Sequence, residues 1–197
     1  MADDPSSKRH AEGAPEQAPD QAIAFTAHDH RQCQARILAR AEAHCASGGL
    51  RLTPVRRQTL EILLEAHRAM GAYEVLERLA DHGFGSQPPV AYRALDFLVE
   101  AGCAHRVRRV NGYTACMHPG ERHDPVLLIC EGCGMVAESP SGGARRAVGQ
   151  AAVPLEFQLE GVNIEGVGMC PACLADDGEG IGDGKGAPRS KDAGGGR

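Results

Sequence analysis

The sequence predicts an α+β protein in two units, a winged helix-turn-helix followed by a small α/β unit closed at both ends by paired cysteines. Three observations predict it. Successive helical patterns lead into an Asn-Gly hairpin, the apolar period changes after Pro119-Gly120, and two Cys-x-x-Cys pairs bracket the second stretch.

Residues 29–47 read as a helix with Ile37, Leu38, Ala41 and His44-Cys45 on one face, closed by Gly48-Gly49. Thr53 is expected to cap a second helix that starts at Pro54, where a missing N–H costs nothing. Its buried stripe is Val55, Leu60, Ile62, Leu63 and Ala66. Tyr73, Leu76, Leu79 and Ala80 mark a third helix ending at Gly83. A fourth, capped by Ser86 and begun by Pro88-Pro89, buries Ala91, Leu95, Leu98 and Val99 and ends at Gly102. Asn111-Gly112 between two β-prone runs predicts a hairpin with a two-residue turn. In that register Val107 opposes Cys116 and His105 opposes His118. Beyond Pro119-Gly120 the pattern predicts strands over 125–130 and 135–138, a helix near 144–152, and one or two strands within 155–167.

The winged-helix domain is therefore placed at 29–118 and the second domain at 119–175. Residues 1–28 are rich in Pro, Ala, Asp and Glu, and 8 of the 25 glycines fall in the last 22 residues. Such stretches bury too little surface to offset ordering entropy, so 1–28 and 176–197 are expected to be disordered. A folded body of this size excludes a large enzyme barrel. No apolar run is long enough to span a membrane, and the N-terminus lacks the basic and apolar regions of a secretory signal. A cytoplasmic location is expected, with the 8 cysteines as thiols or metal ligands rather than disulfides. The net charge of -5 hides an asymmetry. Residues 51–110 carry 9 Arg against 7 acids, whereas 111–175 carry 3 Arg against 7 acids. The basic front fits a nucleic-acid partner; the acidic back does not.

Cys130-Glu131-Gly132-Cys133 and Cys170-Pro171-Ala172-Cys173 are two knuckles separated by 36 residues. Four thiolates suit the tetrahedral preference of Zn²⁺, so a structural zinc site is expected to join the start of the second unit to its end. A redox role would need one pair in a thioredoxin-like context, which is missing. On the hairpin, His105, Cys116 and His118 share a face by strand parity. His123 follows across a short linker, and Glu138 lies five residues past Cys133. Each has an ordinary explanation alone, as surface histidine, core filler or solvated carboxylate; as a set they bridge both units. His118 has the same parity as Cys116 and could stand in for His123. Cys103 is expected in the core. Cys33 and Cys45, near His28, His30 and His44, are expected to be exposed thiols, with extra metal binding as the alternative.

Leu52-Thr53-Pro54-Val55-Arg56, the helix Ala91-Tyr92-Arg93-Ala94-Leu95-Asp96-Phe97-Leu98, and the two cysteine pairs together resemble the ferric uptake regulator family. The stretch 88–98, His105 eleven residues before Cys116, and the single His123-Asp124 resemble its zinc uptake regulator branch. The resemblance covers residues 30–175. It implies a homodimeric, metal-dependent repressor with a winged-helix DNA-binding domain and an α+β dimerisation domain. It also implies Cys130, Cys133, Cys170 and Cys173 as a structural zinc site, and His105, Cys116, His123 and Glu138 as a regulatory one, hence two Zn²⁺ per protomer. Tyr92 and Arg93 match residues that touch DNA.

Two departures stand out. Val90-Ala91 replaces the usual Thr-Val before Tyr-Arg, removing a hydroxyl at the helix start, and the multi-histidine run of iron-sensing relatives is reduced to His123-Asp124. The expected partner is a palindromic double-stranded operator, with no membrane and no small-molecule substrate. Arg56, Arg57, Arg106, Arg108 and Arg109 are candidate phosphate contacts, Arg93 a phosphate or purine contact, and Tyr92 a platform for a thymine methyl. Within the family, a sensor of iron, manganese or peroxide is the rival, disfavoured because a thiolate prefers zinc. Outside it, the rival is a zinc storage or delivery protein that never binds DNA. An enzyme is least expected, because a catalytic zinc needs an open position and both sets offer four ligands.

Overall fold

In the computed structural model, residues 23–121 and 123–179 are described. Four helices lead: α1 (His30–Ser47), α2 (Pro54–Leu64), α3 (Ala72–Asp81) and α4 (Pro88–Glu100). The Asp29 carboxylate caps α1 by accepting from the Gln32 N–H at 3.1 Å. Thr53 does occupy the cap position of α2, but its side chain makes no capping bond there. The cap of α4 is Gln87 rather than the expected Ser86. Pro88 and Pro89 carry no N–H, so the first turn has fewer orphan donors for a hydroxyl to satisfy. The apolar stripes meet in one core built on Ile37, Leu60, Leu63, Leu79, Leu95 and Leu98. Val90 packs against that core.

The wing follows as β1 (Ala104–Val107) and β2 (Gly112–Ala115). Its register corrects the expected one. His105 pairs with Thr114 and Val107 with Gly112, so the connection spans residues 108–111 rather than two residues. Asn111 alone takes a left-handed φ, 47°. Gly112 is needed for a different reason: a Cβ there would lie 3.0 Å from the Met70 carbonyl oxygen. Met70 and Tyr113 exchange two backbone hydrogen bonds at 2.8 Å, which carries the α2–α3 loop onto the edge of the wing. Expected and observed pairings differ by an even slide, so His105, Thr114 and Cys116 still share one face. Cys116 and His118 lie beyond the end of β2.

The second unit holds β3 (Val126–Cys130), β4 (Val136–Ser139), α5 (Gly142–Ala152), β5 (Ile164–Gly168) and α6 (Pro171–Glu179). The sheet order is β4-β3-β5, antiparallel between β3 and β4 and parallel between β3 and β5. Only one strand forms within 155–168; before it a 3₁₀ turn (Val153–Leu155) ends with Glu156 at φ 51°. Val107 of the wing packs with Leu127, Ile129 and Val136 of this sheet, so the two units share a small core.

The expected disorder at 1–22 and 180–197 lies outside the described residues. The remainder of the expected tails differs. A 3₁₀ turn (Ile23–Phe25) packs against β4 with Ala24 buried, and α6 runs to Glu179. Ala24 belongs to the short apolar run Ala22-Ile23-Ala24-Phe25, too brief to stand out against the polar composition of residues 1–28. Cys33 and Cys45 are buried rather than exposed, because both fall on the inner stripe of α1; Cys103 is buried as expected.

Candidate metal centre

Wing and sheet converge on Glu138. It sits on β4 opposite Leu127, is 6% exposed, and accepts a hydrogen bond from the Met117 N–H at 2.8 Å. His105 Nε2 approaches one carboxylate oxygen at 3.3 Å, and His123 Nε2 approaches the other at 3.3 Å. Cys116 Sγ lies 3.5 Å from His123 Nε2. One donor atom from each of His105, Cys116, His123 and Glu138 falls within 4.8 Å of the rest. His118 Nδ1 stands 3.6 Å from Glu138 but outside that group of four.

The electrostatics are those of a site built to receive a positive charge. Burial alone would raise the Glu138 pKa, yet His105, His118 and His123 around it hold the carboxyl well below the usual range. Burial, then the adjacent Glu138 carboxylate, pushes the Cys116 thiol well up. Hydrogen bonding to Glu138 raises His123 against the opposing effect of burial. His105 Nε2 is buried and makes no hydrogen bond despite its nearness to Glu138. An orphaned nitrogen at that depth is uncommon and calls for a partner. Two imidazoles, one thiol and one carboxylate at these separations fit a tetrahedral borderline cation such as Zn²⁺. The outer contacts fit as well: the His123 Nδ1–H donates to the Glu121 carbonyl at 2.8 Å, which leaves Nε2 as the lone pair.

The second candidate gathers Cys130, Cys133, Cys170 and Cys173, whose sulfurs also fall within 4.8 Å of one another. Cys133 and Cys170 sulfurs are 3.8 Å apart, far from bonding distance. Four sulfurs about 2.3 Å from one zinc would be about 3.8 Å apart. The N–H groups of Cys133 and Cys170 lower the Cys130 thiol to about 6, while the three neighbouring thiols push Cys173 well up. Gly132 is required here, since a Cβ would lie 2.9 Å from Cys173 Sγ.

The wing is docked by a contact that sequence reasoning missed. Glu165 on β5 accepts from the Arg108 and Arg109 N–H groups at 2.7 and 2.8 Å. Burial would raise its pKa; the bonds from Arg108, Asn163 and Arg109 outweigh that and lower it. Only strand parity hints at it, because Glu165, Leu127 and Glu138 are cross-strand neighbours on one face. A folded pKa below the ordinary value of 4.5 means the contact stabilises above that value and is lost as pH falls through the lower folded one. Glu165→Gln is expected to lower Tm by a few degrees at pH 7 and to lose that deficit relative to wild type on acidification, measured by thermal unfolding across pH.

Of the predicted nucleic-acid residues, Tyr92 and Arg93 are exposed on α4, opposite its buried Ala91, Ala94, Leu95 and Leu98. Arg108 and Arg109 are exposed at the wing tip, and Arg106 is exposed on β1. Arg56 lies over the Phe97 ring at 3.6 Å and donates to the Arg51 carbonyl at 2.7 Å. Arg57 is held between Glu42 at 2.7 Å and Glu61 at 2.5 Å, so it reaches a phosphate only by leaving a carboxylate. Among the described residues no helix is long and apolar enough to cross a membrane.

No family model matches the sequence. The zinc uptake regulation protein of Escherichia coli (strain K12) is 36% identical over 139 residues, covering 70% of this chain and 81% of that one. The protein of the same name from Shigella flexneri matches equally. Among solved structures, a zinc uptake regulator complexed with zinc and DNA is 35% identical and covers 74% of this chain and 97% of its own, with a TM-score of 0.69. Holo XcZur is 34% identical, covers 72% and 99%, and has a TM-score of 0.65. By this likeness in sequence and fold, the chain belongs to the zinc uptake regulator branch of the ferric uptake regulator family.

Proposed function

We propose that this chain is a zinc-responsive repressor that binds palindromic double-stranded DNA as a homodimer and controls zinc uptake genes. The observation that carries the reading is the convergence of His105 and Cys116, from the wing and the segment after it, with His123 and with Glu138 of the sheet. The solved relative complexed with zinc and DNA supports it.

In this reading Cys130, Cys133, Cys170 and Cys173 hold one Zn²⁺ permanently, and the mixed set holds a second, exchangeable one. Bound at the mixed set, Zn²⁺ supplies the positive charge that lets the Cys116 thiolate lie beside the Glu138 carboxylate. His105, Cys116, His123 and Glu138 thereby fix how the wing stands on the sheet, and with it the orientation of α4. Tyr92 and Arg93 read the major groove, Arg108 contacts phosphate at the wing, and Arg56 and Arg57 contribute charge beside α4. A palindrome requires the two α4 helices of a dimer about 34 Å apart. The dimer surface falls on the second unit, where Leu155 is 77% and Phe157 64% exposed and, among the described residues, β5 pairs on one side only. Both donor sets supply four ligands and leave no open position, which supports a regulator and not an enzyme.

Operator binding compared with Zn²⁺, Mn²⁺ and Fe²⁺ tests the reading. Zn²⁺ is expected to support a complex that weakens steeply with salt, by about 0.9 in log–log slope per phosphate contacted. Preference for Mn²⁺ or Fe²⁺ would overturn the zinc assignment. A protein that binds zinc but no operator would be a store.

A further inference from the structure

The described residues hold a third group of donors, sharing no residue with either site above. His28 precedes α1, His30 and Cys33 lie on its first turns, and His67 sits in the loop between α2 and α3. One ring nitrogen from each histidine lies within 4.8 Å of the others. His28 Nε2 and His67 Nε2 are 3.0 Å apart, and Cys33 Sγ is 3.9 Å from His67 Nε2. The three rings meet edge-on or tilted, with centroids 4.8 to 5.7 Å apart, and do not stack. On a tetrahedral zinc with the usual bond lengths, two nitrogens lie about 3.3 Å apart and a nitrogen and a sulfur about 3.5 Å. The observed nitrogen pair is about 0.3 Å closer than that and the nitrogen–sulfur pair about 0.4 Å wider.

We propose that His28, His30 and His67, with Cys33 as fourth donor, form a further binding site for Zn²⁺.

The hydrogen bonds around the group orient it for that role. The Thr26 carbonyl lies 2.9 Å from His28 Nδ1, and a carbonyl only accepts, so Nδ1 carries the proton and Nε2 presents its lone pair. The Glu65 carbonyl likewise lies 2.9 Å from His30 Nε2, leaving Nδ1 of that ring as the lone pair. A backbone carbonyl behind a ligating histidine is a common outer-shell arrangement. Three imidazoles and a thiol, with no carboxylate among them, select zinc and its softer neighbours over Mg²⁺, Ca²⁺ or Mn²⁺. Separation of 30 and 33 by three residues puts both on one face of α1.

The position also bears on the rest of the molecule. The His67 carbonyl accepts from the Val136 N–H at 2.7 Å, and Arg68 bridges Met135. The site therefore pins the segment before α1 to a loop whose backbone already pairs with β4, the strand that carries Glu138.

Counting zinc in the full-length protein, by elemental analysis after equilibration with buffered zinc, tests this. Wild type is expected to hold three ions per protomer, and a His28→Ala/His30→Ala double variant two, with unchanged circular dichroism. His28 precedes α1 and His30 begins it, both outside its buried stripe, so the variant tests the site even where His67→Gln misfolds. Co²⁺ titration gives a second readout, the double variant losing one equivalent of tetrahedral visible absorption. Equal metal counts in wild type and the double variant would overturn the proposal. That outcome leaves the mixed site untouched, because His105→Ala removes an ion independently of it.

Discussion

Replacing His105 with Ala is expected to leave a folded dimer that binds the operator no better with zinc than without it. At zinc levels that saturate wild type, the loss in DNA affinity should be about 150-fold, the equivalent of roughly 3 kcal/mol of coupling between two sites. His105 is the right residue to remove, for its Nε2 is buried without a hydrogen bond and belongs to the converging four. The backbone pairing of position 105 with Thr114 does not depend on the side chain. Operator binding by fluorescence anisotropy, with and without zinc, gives the result. His118→Ala is the control. It sits 3.6 Å from Glu138 but outside the converging four, and the zinc response should survive. A retained response in His105→Ala would end the sensing proposal, and a lost one in His118→Ala would move the ligand set.

Parity is what makes this residue set visible in the sequence at all. The expected hairpin register fails because Asn111-Gly112 does not form a two-residue turn. Gly112 enters β2, kept small by the Met70 carbonyl, while Asn111 alone adopts the left-handed conformation. The slide is even, so His105 and Cys116 stay on one face. The helices are legible for a stronger reason, since each buried stripe is set by its own 3.6-residue period and the boundaries by prolines and glycines. Contacts made at long range leave no such trace. Glu165 reaches the wing turn from 56 and 57 residues away, with strand parity as its one faint hint. Polar neighbours suggest that Cys33 and Cys45 are exposed, yet the same period that buries Ile37 and Ala41 buries them. His67 joins His28 from 39 residues away. The proximity of His28 and His30 is visible in the sequence, but the residue that completes the group is not.

Cys130→Ser is expected to cost the second unit its fold. Its apolar core is lean: Leu127, Ile129 and Val136 with Val107 borrowed from the wing, while α5 buries only Ala152. The four cysteines join β3 to the start of α6, and Cys130 carries a bond from the Cys170 N–H at 3.2 Å that ties the two knuckles. Structural zinc contributes about 10–16 kcal/mol in small zinc-dependent folds, as much as the whole stability of an ordinary domain, about 5–15 kcal/mol. Loss of one thiolate from such a site therefore outweighs what four side chains can hold. The helical core on Ile37, Leu60, Leu79 and Leu95 is separate, so most helical circular dichroism should persist while the β3–β5 sheet opens. Light scattering should report a monomer, elemental analysis at least one zinc fewer, and limited proteolysis cleavage confined to the chain after the wing. Because β4 carries Glu138, the mixed site should fail with it, and operator binding should vanish at any zinc concentration. That separates this variant from His105→Ala, which keeps the dimer and loses only the response. A Cys130→Ser protein that still dimerised with its full zinc complement would show that the sheet stands on its own packing, and the four cysteines would then need another role.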